Sequence, residues 1–139
     1  MSSPLPADVR QLVAERAGFR CEYCLIPESL AFAAHEIDHV IALKHGGAST
    51  LDNLAYACAI CNKRKGSDIA SYDRETDSVV ALYNPRRDRW ADHFRLEGER
   101  IAPQSERGRV TVELLRLNRP TRLAERALLQ QAGALKEPD

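Results

Sequence analysis

Two Cys-x-x-Cys pairs constrain this chain more than anything else in it. Cys21-Glu22-Tyr23-Cys24 and Cys58-Ala59-Ile60-Cys61 put four soft sulfur donors on two compact knuckles, which is the ligand set of a closed tetrahedral zinc site. Closing such a site forces residues 21–24 against residues 58–61. The gap between the pairs is 33 residues, Leu25 to Ala57, longer than the roughly 15–20 of a simple four-cysteine ribbon. Two disulfides, or four buried free thiols, are the other ways to use these cysteines. In a reducing cytosol, paired motifs of this kind favour a metal.

Length and composition set the frame. A chain of 139 residues has room for one domain and little for a second core, so residues 1–139 are read as a single domain. A metal staple is worth having in a core this small. The start, MSSPLPADVRQLV, has no basic region followed by a continuous apolar run, so no secretory signal is expected. No apolar stretch reaches the roughly 18 residues of a membrane helix. The chain is therefore expected to be cytoplasmic.

Local patterns place the motifs. Asp8–Ala17 reads as an amphipathic helix, with Val9, Leu12, Val13 and Ala17 on one face and Gly18 beyond its end. Glu36–Ile41 alternates and reads as a strand. His45–Thr50 is a glycine-containing loop, and Leu51–Ala57 a short turn and strand. Ala59–Lys65 reads as a short helix stopped by Gly66. Ser67–Asp77 is polar and read as irregular, Val79–Tyr83 as a strand. Trp90–Leu96 and Arg100–Ala102 suggest strands of a small sheet. Val110–Leu117 and Arg122–Leu129 read as two helices, with Leu114, Leu115, Leu117, Leu128 and Leu129 as core. The fold class is α+β.

The chemistry-bearing groups sit between and beside the cysteines. CEYC, EIDHVIALKHGG, LDNLAYAC and AICNKRKG follow in that order. The combined pattern resembles the HNH endonuclease family, whose core is a ββα-metal finger. It covers residues 21–66, about a third of the chain. The long gap between the cysteine pairs fits that family, because a strand pair and its loop lie between the knuckles. Residues 67–130 are read as an extension packed on the core, and LYNPRRDRWADHF with GRVTVELLRLNRP resemble the C-terminal part of small bacterial members.

The resemblance implies roles. Asp38 and Asn62 would hold a catalytic divalent ion, Mg²⁺ or Mn²⁺, since hard ions take oxygen ligands. His39 would be the general base, because an imidazole titrates near roughly 6.5 and is available as a neutral base. Asn53 would fix the loop and so orient that base. Cys21, Cys24, Cys58 and Cys61 would hold structural Zn²⁺. Asp38 and His39 are neighbours, and neighbours on a strand face opposite ways, so the pair is expected where the strand ends. An Asp–His surface pair, a helix-capping Asn62 and a turn-forming Asn53 are the plain alternatives. Glu36 shares a face with Asp38 and is placed nearby; His35 and His45 are read as surface histidines. Ala42 stands where the family often has Pro.

Formal net charge is zero, but its distribution is uneven. Residues 1–62 carry four Lys/Arg against seven Asp/Glu, whereas residues 86–126 carry eleven Arg against seven Asp/Glu. Arginine grips phosphate with a planar fork. Lys63, Arg64 and Lys65 on the short helix, and Arg86, Arg87 and Arg89 beside Trp90, are the candidate DNA contacts; Arg107 and Arg109 flank a glycine ahead of the first long C-terminal helix. These arginines otherwise pair with Asp88, Asp92 and Glu97 and hold the extension together. The function expected is a metal-dependent nuclease hydrolysing DNA phosphodiester bonds, with duplex DNA as partner and no small-molecule substrate. A zinc-stabilised DNA-binding module without activity is the alternative, and a zinc-built protein-interaction module a third.

Overall fold

The computed structural model describes residues 5–138. Met1–Pro4, the opening of the segment read for a signal, and Asp139 lie outside them. Helix α1 runs Ala7–Arg16, and Gly18 beyond it takes a positive φ of 65°. The first knuckle follows, then a single 3₁₀ turn at Glu28–Leu30. Strand β1 (Glu36–His39) pairs antiparallel with β2 (Leu54–Ala57), in the register Glu36↔Ala57, Ile37↔Tyr56, Asp38↔Ala55 and His39↔Leu54. Helix α2, Ala59–Lys65, starts at Cys58 and ends at Gly66, whose φ of 53° suits a residue without Cβ. Residues 36–65 are therefore a strand–strand–helix unit with the second knuckle at the start of its helix.

The extension is more regular than its sequence suggests. Ser67–Asp77 was expected to be irregular, but Ala70–Asp73 forms β3 and pairs with β4, Ser78–Ala81. A hairpin needs only complementary edges and a turn, here at Asp77 with φ 50°, and polar residues suffice for that. The Trp90–Leu96 segment is not a strand throughout. Trp90–His93 is one helical turn, α3, followed by β5 (Phe94–Glu97), which pairs with β6 (Arg100–Pro103). Helix α4 begins at Glu106 rather than Val110, because Ser105 caps it by accepting from Gly108 N at 2.9 Å. Helix α5 spans Pro120–Gln131, with Pro at its start.

One apolar cluster draws on both halves of the chain. Cys21, Tyr23, Cys24, Leu25, Ile26, Cys58 and Cys61 pack with Tyr83, Trp90, Phe94, Ile101, Leu115 and Leu117. A second, smaller cluster seats α1 on β2 through Val13, Ala14, Leu54 and Tyr56. Leu128, expected in the core, is 65% exposed. The inward face of α5 is instead marked by Arg122 and Arg126.

Candidate active site and metal centre

The four cysteines are buried and carry no disulfide. Their sulfur atoms all lie within 4.8 Å of one another, with Cys24 and Cys58 Sγ 3.7 Å apart. Zinc–sulfur bonds of about 2.3 Å in a tetrahedron set sulfurs roughly 3.8 Å apart, so the cluster is dimensioned for an ion rather than for S–S bonds. Each knuckle also points a backbone amide at its leading sulfur: Cys24 N donates to Cys21 Sγ at 3.4 Å, and Cys61 N to Cys58 Sγ at 3.3 Å. Those bonds stabilise thiolate over thiol. The cysteines are thus positioned to form a metal site, and their soft donors and dimensions suit zinc.

The first knuckle is bolted to the sheet. Glu22 N donates to Tyr56 O at 2.8 Å, and the Glu22 carboxylate accepts from Tyr56 N at 2.8 Å. Burial raises the Glu22 carboxyl above its usual range, against the pull of Arg86, its ion-pair partner.

β1 and α2 meet in two matched rungs. Glu36 and Asp38, two apart on the strand, face Asn62 and Lys65, three apart on the helix. Asn62 Nδ2 donates to Glu36 Oε1 at 2.7 Å at the surface. Beneath it, Lys65 Nζ reaches Asp38 Oδ1 at 3.3 Å, Val40 O at 3.0 Å and His39 O at 3.3 Å. Tyr23 OH donates to the other Asp38 oxygen at 2.7 Å. Burial raises the Asp38 carboxyl above its usual range, although Lys65 and Tyr23 both favour its ionised form. The Tyr23 phenol is in turn pushed well above normal, by burial first and then by Asp38.

Lys65 therefore departs from the expectation of a phosphate contact. It is 2% exposed, because its helix face turns into the strand, while Lys63 and Arg64 remain exposed. His35 also departs from its reading as a surface histidine. It is 3% exposed, its Nε2 lies 2.9 Å from Ile26 O, and its ring sits 5.3 Å from that of Tyr56. His45 stays exposed, near Ser67 O.

His39 is the last residue of β1. Its Nε2 lies 2.9 Å from Ser49 Oγ, and the ring is only half-buried. Asn53 ties the intervening loop at three points. Its Oδ1 accepts from Ile41 N at 2.9 Å, and its Nδ2 donates to Ile41 O at 2.9 Å and to Ala48 O at 2.8 Å. Gly47 is indispensable there: a Cβ on it would stand 1.7 Å from Ile41 O.

The arginines of the extension are mostly spoken for. Arg86 turns inward to Glu22. Arg107 pairs with Asp88 at 2.8 Å, and Arg109 with Asp73 at 2.8 Å and Glu75 at 2.9 Å. Both lie inside α4, not ahead of it. Arg87 and Arg89 are exposed. The sequence reading missed Tyr23 and Lys65 as partners of Asp38. Lys65 was findable, since it lies one helical turn from Asn62; Tyr23 was not, because its partner comes from a distant strand.

An antiparallel strand pair, a following helix and a four-cysteine cluster positioned for a metal define a small α+β module bearing an acid, an imidazole and two carboxamides. Residues 21–68 match the family model HNH endonuclease, so the chain carries an HNH domain in that span. No curated protein and no solved structure matches the chain significantly. Among the described residues no helix is long and apolar enough to cross a membrane.

Proposed function

We propose that the chain is a cytoplasmic, metal-dependent endonuclease that hydrolyses backbone phosphodiesters of duplex DNA, leaving 5′-phosphate and 3′-hydroxyl ends. The observation that supports this most is the half-exposed His39 imidazole at the end of β1, beside a loop that Asn53 fastens, within the HNH domain. His39 takes a proton from a water molecule. The water oxygen bonds to phosphorus as the bond from phosphorus to the 3′-oxygen breaks, and the departing 3′-oxygen takes up a proton from solvent. Asn53 keeps the loop, and with it Ser49 and the imidazole, in one position.

Asp38 and Asn62 are the residues that would hold a divalent ion. Both present oxygen, the donor Mg²⁺ and Mn²⁺ prefer. Asn62 commits its Nδ2 to Glu36, which leaves its carbonyl oxygen to offer. Each Asp38 oxygen accepts one hydrogen bond and keeps a second lone pair. When bound, the ion supplies charge stabilisation to the phosphate oxygens. Lys63 and Arg64 on the outer face of α2 contact flanking phosphates.

The decisive experiment is plasmid nicking with Mg²⁺, Mn²⁺ or EDTA, comparing the parent chain with His39→Ala from identical preparations. Loss of a general base costs about 10²–10⁴-fold in rate, with fold and DNA binding kept. Equal cleavage by His39→Ala would remove the role assigned to it. The alternative, a DNA-binding module without activity, gains some support from the Lys65 ammonium that already balances Asp38. It predicts salt-dependent DNA binding and no metal-dependent cleavage by the parent.

A further inference from the structure

The family match ends at residue 68, but the cysteine cluster has partners well beyond it. Helix α5 turns two guanidinium groups inward: Arg122 is 6% exposed and Arg126 fully buried. Arg122 Nη2 donates to Cys58 Sγ at 3.2 Å, and its Nη1 to Glu125 Oε1 at 2.6 Å. Arg126 donates only to neutral oxygens, those of Cys24 O at 3.1 Å, Glu99 O at 2.6 Å, Leu117 O at 2.6 Å and Asn118 Oδ1 at 3.0 Å.

Buried cations are costly unless negative charge stands nearby. Two guanidiniums lie here, and Glu125 balances one. Four thiolates around one divalent ion carry a net charge of minus two, which supplies the missing balance for the pair; Arg122 meets that charge directly at Cys58 Sγ. Neutral thiols would not. A divalent ion whose charge is more than cancelled by its ligands is in turn steadied by an N–H donor on sulfur, since that draws electron density from the thiolate.

We propose that Arg122 is a counter-charge built into the metal centre: its bond to Cys58 Sγ stabilises the metal-loaded tetrathiolate and fastens α5 of the extension to it. The inference rests on the cysteines binding metal and not on nuclease activity. It makes Arg122 a positioning residue for the cluster, supplied from outside the HNH domain.

The test uses the full chain. Zinc affinity is measured by competition with a chromophoric chelator, and the cobalt-substituted protein is read in its near-ultraviolet sulfur-to-metal charge-transfer band. Arg122→Gln is expected to weaken zinc binding about 10–100-fold, the usual cost of losing an outer-shell partner, and to move the band to longer wavelength. Glu125→Gln, which leaves the sulfur contact in place, is expected to keep the parental band. Zinc affinity within twofold of the parent overturns the proposal, as does weaker affinity with an unmoved band, because simple packing would produce the latter. If Arg122→Gln does not load metal, Arg122→Lys decides. That variant keeps a charge within reach of sulfur and must load with a smaller loss; a defect equal to that of Arg122→Gln refutes the charge role. A parent chain without metal on the four sulfurs refutes this proposal and the structural-zinc assignment together, and leaves the nicking assay to judge the nuclease.

Discussion

Replacing Lys65 by Met tests whether this residue is a clamp under β1 or a DNA contact. Lys65 and Asp38 have side chains 2% and 3% exposed and lie 3.3 Å apart. Met keeps the stem but removes the charge and three hydrogen bonds, to Asp38 Oδ1, His39 O and Val40 O. Asp38 would keep only the Tyr23 hydroxyl. Removing one partner of a buried pair typically costs about 3–5 kcal/mol, which for a chain of this size lowers Tm by roughly 10 °C or more. The assay is urea and thermal unfolding of the zinc-loaded protein in a double-mutant cycle with Asp38→Asn. Because each single change strands the other group, the double variant should be more stable than the sum of the singles predicts, by up to about 3 kcal/mol. A Lys65→Met protein within about 1 kcal/mol of the parent would refute the clamp, as would additive costs. At a temperature where the variant is folded, its DNA binding should keep the parental salt dependence. A flattened dependence would return Lys65 to the phosphates.

Four further outcomes are expected. Cys58→Ala should lose both zinc and cooperative unfolding, by metal analysis of protein purified without added zinc and by calorimetry. Gly47→Ala should slow cleavage far more than it weakens DNA binding, because the added Cβ meets Ile41 O and displaces the loop beside His39; equal rates would show that the loop does not orient the base. Arg87→Ala with Arg89→Ala should flatten the salt dependence of DNA binding by up to roughly 0.9 log unit per lost phosphate contact, whereas Arg86→Ala, which breaks the pair with Glu22, should show itself in thermal stability. Hydrogen bonding by Arg109 holds the Asp73 carboxyl down at about 2, below its ordinary value of 3.8; a depressed carboxylate stabilises the fold above that ordinary value and loses the effect as pH falls from about 4 towards 2, so Arg109→Met should flatten the acid side of the stability profile over that window.

The local code of this chain is legible wherever chemistry repeats at short range. Paired cysteines at a spacing of three, Asp38-His39 at the end of an alternating run, Asn62 directly after the second knuckle and Gly66 as a stop are all read within a few residues, and α1, β1, β2 and α2 follow with ends shifted by a residue or two. The α+β class and the HNH domain follow from those motifs. What the sequence did not disclose is which side of each element looks inward. Lys65 and Lys63 sit on one short helix with the same charge, yet one is buried against Asp38 and the other is exposed, because the helix turns about 100° per residue and only its packing against β1 selects a face. Arg122 and Arg126 are of a residue type that usually lies in solvent, and the tertiary fold instead lays them against the cysteine knuckles. Leu128 reads as core and is exposed for the same reason. A residue type states what a side chain can do; the position of a partner many residues away in the chain decides which of those things it does, and that partner is supplied only by the fold.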